Sequence, residues 1–357
     1  MRRRTKPMGG RRPLLYIVVI ALLLAGNYLY DNFLPEVDEP SSELQDGGGM
    51  TVEQPVVFGE DVPAGMTFEQ PTEFGATEGM TFEQPIEFGE QPAASKSRKE
   101  AAWPELPKMR QRDEEYVVSH TVGGGRRNYT VCYSSEHRAP LWVAAPVHRS
   151  YTGDVKRVDN YDFDPSLPVN IQPRLGRSYG DYTRGHLLGS AERTASREMN
   201  NQTFYVTNIA PQLRDGFNER GGAWNNLEAF VDRQICADTL YVVTGAIYDR
   251  FTDSDGAVIE PRTTINKNDG ESVGVPTAYY KALLRTKSGR TGRAVGECRA
   301  SELKCAAFIV GHRSASGRKP SAEDMISIKE LERLTGVDFF AGVDAPEGTA
   351  RAEDWGL

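Results

Sequence analysis

Six short β-branched or aromatic runs between residues 129 and 311 confine that part of the chain to a strand-rich fold. They are "YTVCYS" (129–134), "LWVAAPV" (141–147), "TFYVTNIA" (203–210), "TLYVVTGAIY" (239–248), "TAYYKALLRT" (277–286) and "CAAFIVG" (305–311), each bounded by turn residues. Two stretches read as helices instead. "AWNNLEAFVDRQI" (223–235) places apolar residues at 224, 227, 230, 231 and 235, and "MISIKELERLTG" (325–336) ends on glycine. Strands outnumber helices, which predicts an α+β domain at 115–345, with a mainly antiparallel central sheet and flanking helices. A short tail, 346–357, follows it.

The rest of the 357 residues is not globular in composition. Residues 31–95 carry fifteen acids and no Lys or Arg, and contain "MTVEQPVVFGE", "MTFEQPTEFGA" and "MTFEQPIEFGE" at 50, 66 and 80. Spacings of 16 and 14 are too short and irregular for a solenoid. Proline in each unit and the uniform charge predict an extended acidic linker over 31–114. A docking surface for a partner, or short strands, are the alternatives. The net charge of −8 therefore belongs to the linker, and 96–357 is close to neutral. An acidic total does not exclude a polyanionic partner.

Residues 1–12 hold six basic side chains and no acids, and the uncharged run "PLLYIVVIALLLAGNYLY" follows at 13–30. It is long enough to cross a bilayer, which takes roughly 17–25 residues. Basic charge before it and acids after it predict a cytoplasmic tail, a signal anchor and an exported domain on the periplasmic or extracellular side. A cleaved signal peptide is the alternative, although no small-x-small site stands out. Four cysteines suit export. Cys298 and Cys305 could close a small loop and leave Cys132 and Cys236 as a pair; all three pairings are open, and buried free thiols are the alternative.

Against this background "YTRGHLLGSAER" (182–193) stands out, because the chain has only five histidines. Phosphodiester hydrolysis needs a base, positive charge at phosphorus and help for the leaving oxygen. An imidazole titrates near neutrality and suits the first. A hard divalent cation held by oxygen supplies much of the rest, and arginine is shaped for phosphate. Gly185 would let the backbone approach a ligand. Alone, R-G-H describes a surface turn as readily as a site.

The longer text "YTRGHLLGSAERTASREMNNQTFYVTNIAPQLRDGFNERGGAWNNLE" resembles the DNA/RNA non-specific endonuclease family, metal-dependent nucleases with a ββα-metal (His-Me finger) site. The family pattern of D-R-G-H, then F-Y-x-T/S-N-I-x-P-Q, then F/L-N-x-G-x-W-x-x-L-E appears in order. The similarity continues through "TLYVVTGAIYD", "VPTAYYKALLR" and "IKELERLTGVDFF". The resemblance implies that His186 is the general base, Arg184 lies near the phosphate, Asn218 coordinates the metal and Glu228 holds metal-bound water. It also makes Asn208 a polar site residue and calls for an upstream arginine: Arg157, with Arg149 as competitor. The implied cofactor is Mg²⁺, with Mn²⁺ or another divalent cation as substitutes, because Mg²⁺ keeps several waters and needs few protein ligands.

Two departures stand out. Thr183 replaces the usual Asp, and ten residues rather than eight separate Asn218 from Glu228. On one straight helix that difference turns the side chain by about 200°. Gly221 and Gly222 are therefore expected to loop out, with the helix starting near Ala223. Asn225 is the alternative ligand. Trp142 and Trp224 read as core. His120, His137, His148 and His312 read as structural or exposed. Arg174, Arg177, Arg193 and Arg197 could track a nucleic-acid backbone, with a salt-bridged surface as the alternative.

The expected function is an exported, membrane-tethered endonuclease that cleaves DNA and RNA with little sequence preference. The other class is a nuclease-like domain that cuts weakly and serves as a surface binding module. Expected partners are DNA and RNA as substrates, the membrane through the N-terminal helix, and a second copy of the chain in a homodimer. Nothing identifies a partner for the repeats.

Overall fold

Alternation along β2 explains why the sheet is covered on both sides. Tyr129, Val131 and Tyr133 enter one apolar cluster, while Cys132 enters another across the sheet. In the computed structural model, which describes residues 103–176, 179–346 and 350–357, the first five strands are β1 (Glu115–Val122), β2 (Arg126–Ser134), β3 (Ala139–Val147), β4 (Tyr182–His186) and β5 (Ile209–Leu213). They are followed by β6 (Leu240–Ile247), β7 (Phe251–Thr252), β8 (Val258–Ile259), β9 (Arg262–Ile265), β10 (Ser272–Val275), β11 (Ala278–Thr286), β12 (Leu303–Gly311) and β13 (Met325–Ile326). The helices are α1 (Arg197–Gln202), α2 (Ala223–Asp232), α3 (Ile328–Thr335) and α4 (Ala352–Trp355).

One seven-stranded sheet runs in the order β1-β2-β3-β6-β11-β12-β13, and every neighbouring pair is antiparallel. β6 and β12 are buried along their whole length. Helix α2 covers one face through Trp224, Leu227, Phe230 and Val231, each burial contributing roughly 1.5–3 kcal/mol. On the other face Leu331 of α3 packs with Trp142, Tyr280, Phe339 and Phe340. Ser327 and Glu330 cap α3 reciprocally, and Gly336 ends it in the left-handed region, as its sequence predicts.

Outside the sheet, β4 and β5 form a separate two-stranded antiparallel sheet, and α2 is the next helix after β5. This ββα unit carries the sequence motif.

The packed region extends beyond 115–345 at both ends. Glu105 is buried against Arg127, Met109 accepts from the Trp142 indole, and Trp355 sits in the core beside Phe308. The expected strand 203–210 is corrected. Thr203 closes the C-terminus of α1, a 3-10 turn occupies Val206–Asn208, and only the last two residues enter β5. The expected disulfides are corrected as well: all four cysteines are free, and Cys298 and Cys305 turn their thiols to the Ala294 and Pro346 carbonyls. Among the described residues no helix is long and apolar enough to cross a membrane. The basic tail, the apolar run, the repeats and Arg177 lie outside the described residues.

Candidate active site

In a strand, residues two apart share a face, so β4 presents Arg184 and His186 together. Thr183 and Gly185 take the opposite face, in register with Gln212 and Ala210 of β5. This corrects the expected role of Gly185. A Cβ there would overlap the fully buried Gln212 side chain, so the glycine makes room for β5 rather than for a ligand.

Around His186 the chain assembles two arginines and two aromatic rings. Tyr161 and Phe204 meet the imidazole edge-on, at centroid distances of 5.8 and 5.0 Å. Arg184 stacks on Tyr161 at 3.8 Å, and Arg157 lies over Phe204 at 4.9 Å. Arg157 also donates to Asp159 (2.7 Å), Ser190 (3.0 Å) and the Tyr161 hydroxyl (3.3 Å). The exposed Arg149 takes no part in these contacts, so Arg157 is the upstream arginine of this cluster.

His186 is half-buried, and its Nε2 is covered with no hydrogen-bond partner. Burial above all, then Arg157 and Arg184, brings its pKa down to about 3, while Asp159 and a backbone hydrogen bond to Arg184 oppose the shift. The ring is therefore neutral near pH 7, with a free acceptor between two cations.

Asn208 occupies a different kind of place. It is fully buried, its Oδ1 accepts from the Leu188 N–H, and its Nδ2 donates to the Leu188 and Thr203 carbonyls. Both amide hydrogens and one carbonyl lone pair are spent on backbone, which makes Asn208 a positioning residue. The expected nucleic-acid role of Arg193 is corrected: it is fully buried and donates to the Asn128 and Pro146 carbonyls.

The ten-residue spacing is resolved by a loop. Asn218 precedes the helix, its N–H bonded to the Leu213 carbonyl, and α2 begins at Ala223 as expected. A Cβ at Gly222 would collide with the backbone at Gly216 and Phe217, so only glycine permits this close return. Half-buried Asn218 makes no side-chain hydrogen bond among the described residues. Asn225, in contrast, has its Oδ1 engaged by the Gly221 N–H at 3.1 Å.

Glu228 stands one turn after Trp224 on α2. Burial above all, with Glu192 and Asp232 adding to it and nearby Lys281 opposing, brings its pKa up to about 7. The buried Lys281 ammonium is held by Thr244 at 3.0 Å, 5.1 Å from the Trp224 ring. Neither Tyr161 nor Lys281 stands out in sequence, because each looks like an ordinary strand or loop residue.

Among the described residues no cluster of three or more His, Cys, Asp or Glu side chains could hold a metal alone. The candidate oxygen donors in the motif are the Asn218 amide, which makes no side-chain hydrogen bond among the described residues, and the Glu228 carboxyl, whose pKa burial raises. Few, hard and mostly neutral ligands fit a hydrated divalent cation.

The model of the DNA/RNA non-specific endonuclease family matches residues 115–346. The chain belongs to this family. It is thus a hydrolase of the metal-dependent nuclease class, in a fold whose ββα unit carries the shared motif. Human mitochondrial endonuclease G is 26% identical over 232 residues, covering 64% of this chain and 72% of that protein. A nuclease of Nostoc sp. is 29% identical over 222 residues, 61% of this chain and 73% of that one. Among solved structures, the EndoG/EndoGI complex aligns over 67% of this chain and 88% of that one, with 25% identity and a TM-score of 0.48.

Proposed function

We propose that this nuclease cleaves DNA and RNA by a mechanism in which His186 is the general base, and that it works tethered on the far side of a membrane. The observation that carries the chemistry is the unpartnered Nε2 of a neutral imidazole set between Arg157 and Arg184. Nε2 takes the proton from the water that attacks phosphorus, and the two guanidinium groups bind the non-bridging oxygens. Asn218 and Glu228 are the residues that would hold a divalent cation, Mg²⁺ in this reading. When bound, it neutralises charge on the pentavalent phosphorus and the leaving 3′ oxygen. Phosphate contacts carry no base information directly, which accounts for low sequence preference.

A plasmid-nicking assay tests this reading. Cleavage should require Mg²⁺, stop with EDTA, and fall about 10²–10⁴-fold in His186→Ala with circular dichroism unchanged. Binding of DNA without cation-dependent cleavage would favour the binding-module reading instead. The tether rests on the basic flank and apolar run at 1–30. Full-length protein should stay with membranes through a carbonate wash, and the domain should be open to protease only from the non-cytoplasmic side.

A further inference from the structure

We propose that Asn226 and the 314–318 loop form a clamp that fixes Asn218 and so sets the affinity for the divalent cation. This rests on the reading of Asn218 as the ligand.

The connection that carries Asn218 is two residues longer than the family pattern, and a ligand on a long loop holds a cation poorly unless neighbours fix it. Here both ends of the segment are tied to one external loop. At the near end, the Gly216 carbonyl accepts from the Ala315 N–H (2.8 Å) and the Ala223 N–H (3.2 Å). At the far end, the Gly221 carbonyl accepts from the Gly317 N–H (2.9 Å) and from Asn226 Nδ2 (2.8 Å). The same Nδ2 donates to the Arg318 carbonyl at 2.7 Å. One amide group therefore joins the helix, the Asn218 segment and the second loop.

That second loop is itself anchored at both ends. Arg313 pairs with Asp253 and Asp255, while Arg318 pairs with Asp255, Ser254 and the buried Asp324. The 253–255 turn thus holds both arginines, with the loop strung between them. Forked contacts of this kind fix geometry as well as charge. Asn226 is a positioning residue: its amide is spent on two carbonyls.

The test measures Mn²⁺ binding to the full-length protein by calorimetry, without nucleic acid, for the wild type and three variants. Asn226→Ala should weaken binding about tenfold, with unchanged circular dichroism and with turnover recovered at saturating Mn²⁺. Arg318→Lys alters no atom of the Asn218 segment and keeps a positive charge near Asp324. It should weaken binding in the same direction and covers the case that Asn226→Ala fails to fold. Asn218→Ala should abolish binding. Loss in Asn218→Ala with affinity within about twofold of wild type in the other two variants would overturn the clamp alone. Wild-type affinity in Asn218→Ala would overturn the ligand assignment, and the clamp with it.

Discussion

Asn208 grips Leu188 by both of its backbone groups, accepting from its N–H at 2.9 Å and donating to its carbonyl at 3.0 Å. Leu188 is two residues past His186, so the clasp holds the strand end that aims the imidazole. Asn208→Ala leaves those groups buried and unpaired, at about 1–3 kcal/mol of stability. We expect a lower urea midpoint and a fall in kcat with KM for DNA little changed.

Tyr161 links the two arginines, through its hydroxyl to Arg157 and its ring to Arg184. Tyr161→Phe keeps the stack and Tyr161→Ala loses both contacts. The alanine variant should lose about 0.5–2 kcal/mol more transition-state stabilisation, read from kcat/KM. In DNA-binding titrations, Arg157→Gln should lower the slope of log affinity against log salt by about one.

The acid limb of kcat should lie well below the ordinary histidine value, because burial and two arginines hold His186 neutral down to about pH 3. Removing one of those charges with Arg157→Gln makes protonation easier. The limb should then move to higher pH, which a pH–rate profile extended down to about pH 2.5 checks. A limb fixed near 6.5 in both proteins would count against His186 as the titrating base.

His312 gives a stability prediction. Its Nε2 accepts from the Leu213 N–H and its Nδ1 donates to the Pro276 carbonyl, so the neutral ring fits and the cation does not. Burial brings its pKa to about 3, against roughly 6.5 when unfolded. Below pH 6.5 the unfolded chain binds a proton that the folded chain does not. The stability present above 6.5 is therefore lost as pH falls towards 3, at up to about 1.4 kcal/mol per pH unit. His312→Gln should flatten that acid slope in urea titrations.

Much of the site was legible because the motif is local. The start of α2 near Ala223 and the looping out at Gly221–Gly222 follow from spacing and turn chemistry, whereas the strand β4 under the R-G-H motif carries no such local signal. Arg193 was misread because a buried guanidinium that satisfies backbone carbonyls looks, in one dimension, like a surface one. "TFYVTNIA" was misread because its β-prone residues serve a packed 3-10 turn whose shape is set by Asn208.

By itself the sequence determined the strand-rich class and the two main helices, since these rest on periodicity, and its resemblance to the nuclease family singled out the R-G-H motif. Tertiary structure alone decided which arginine reaches His186 and that Gly185 yields space to Gln212. Those facts depend on residues far apart in the chain occupying one volume, where burial and hydrogen-bond satisfaction, rather than local preference, select among side chains of the same type.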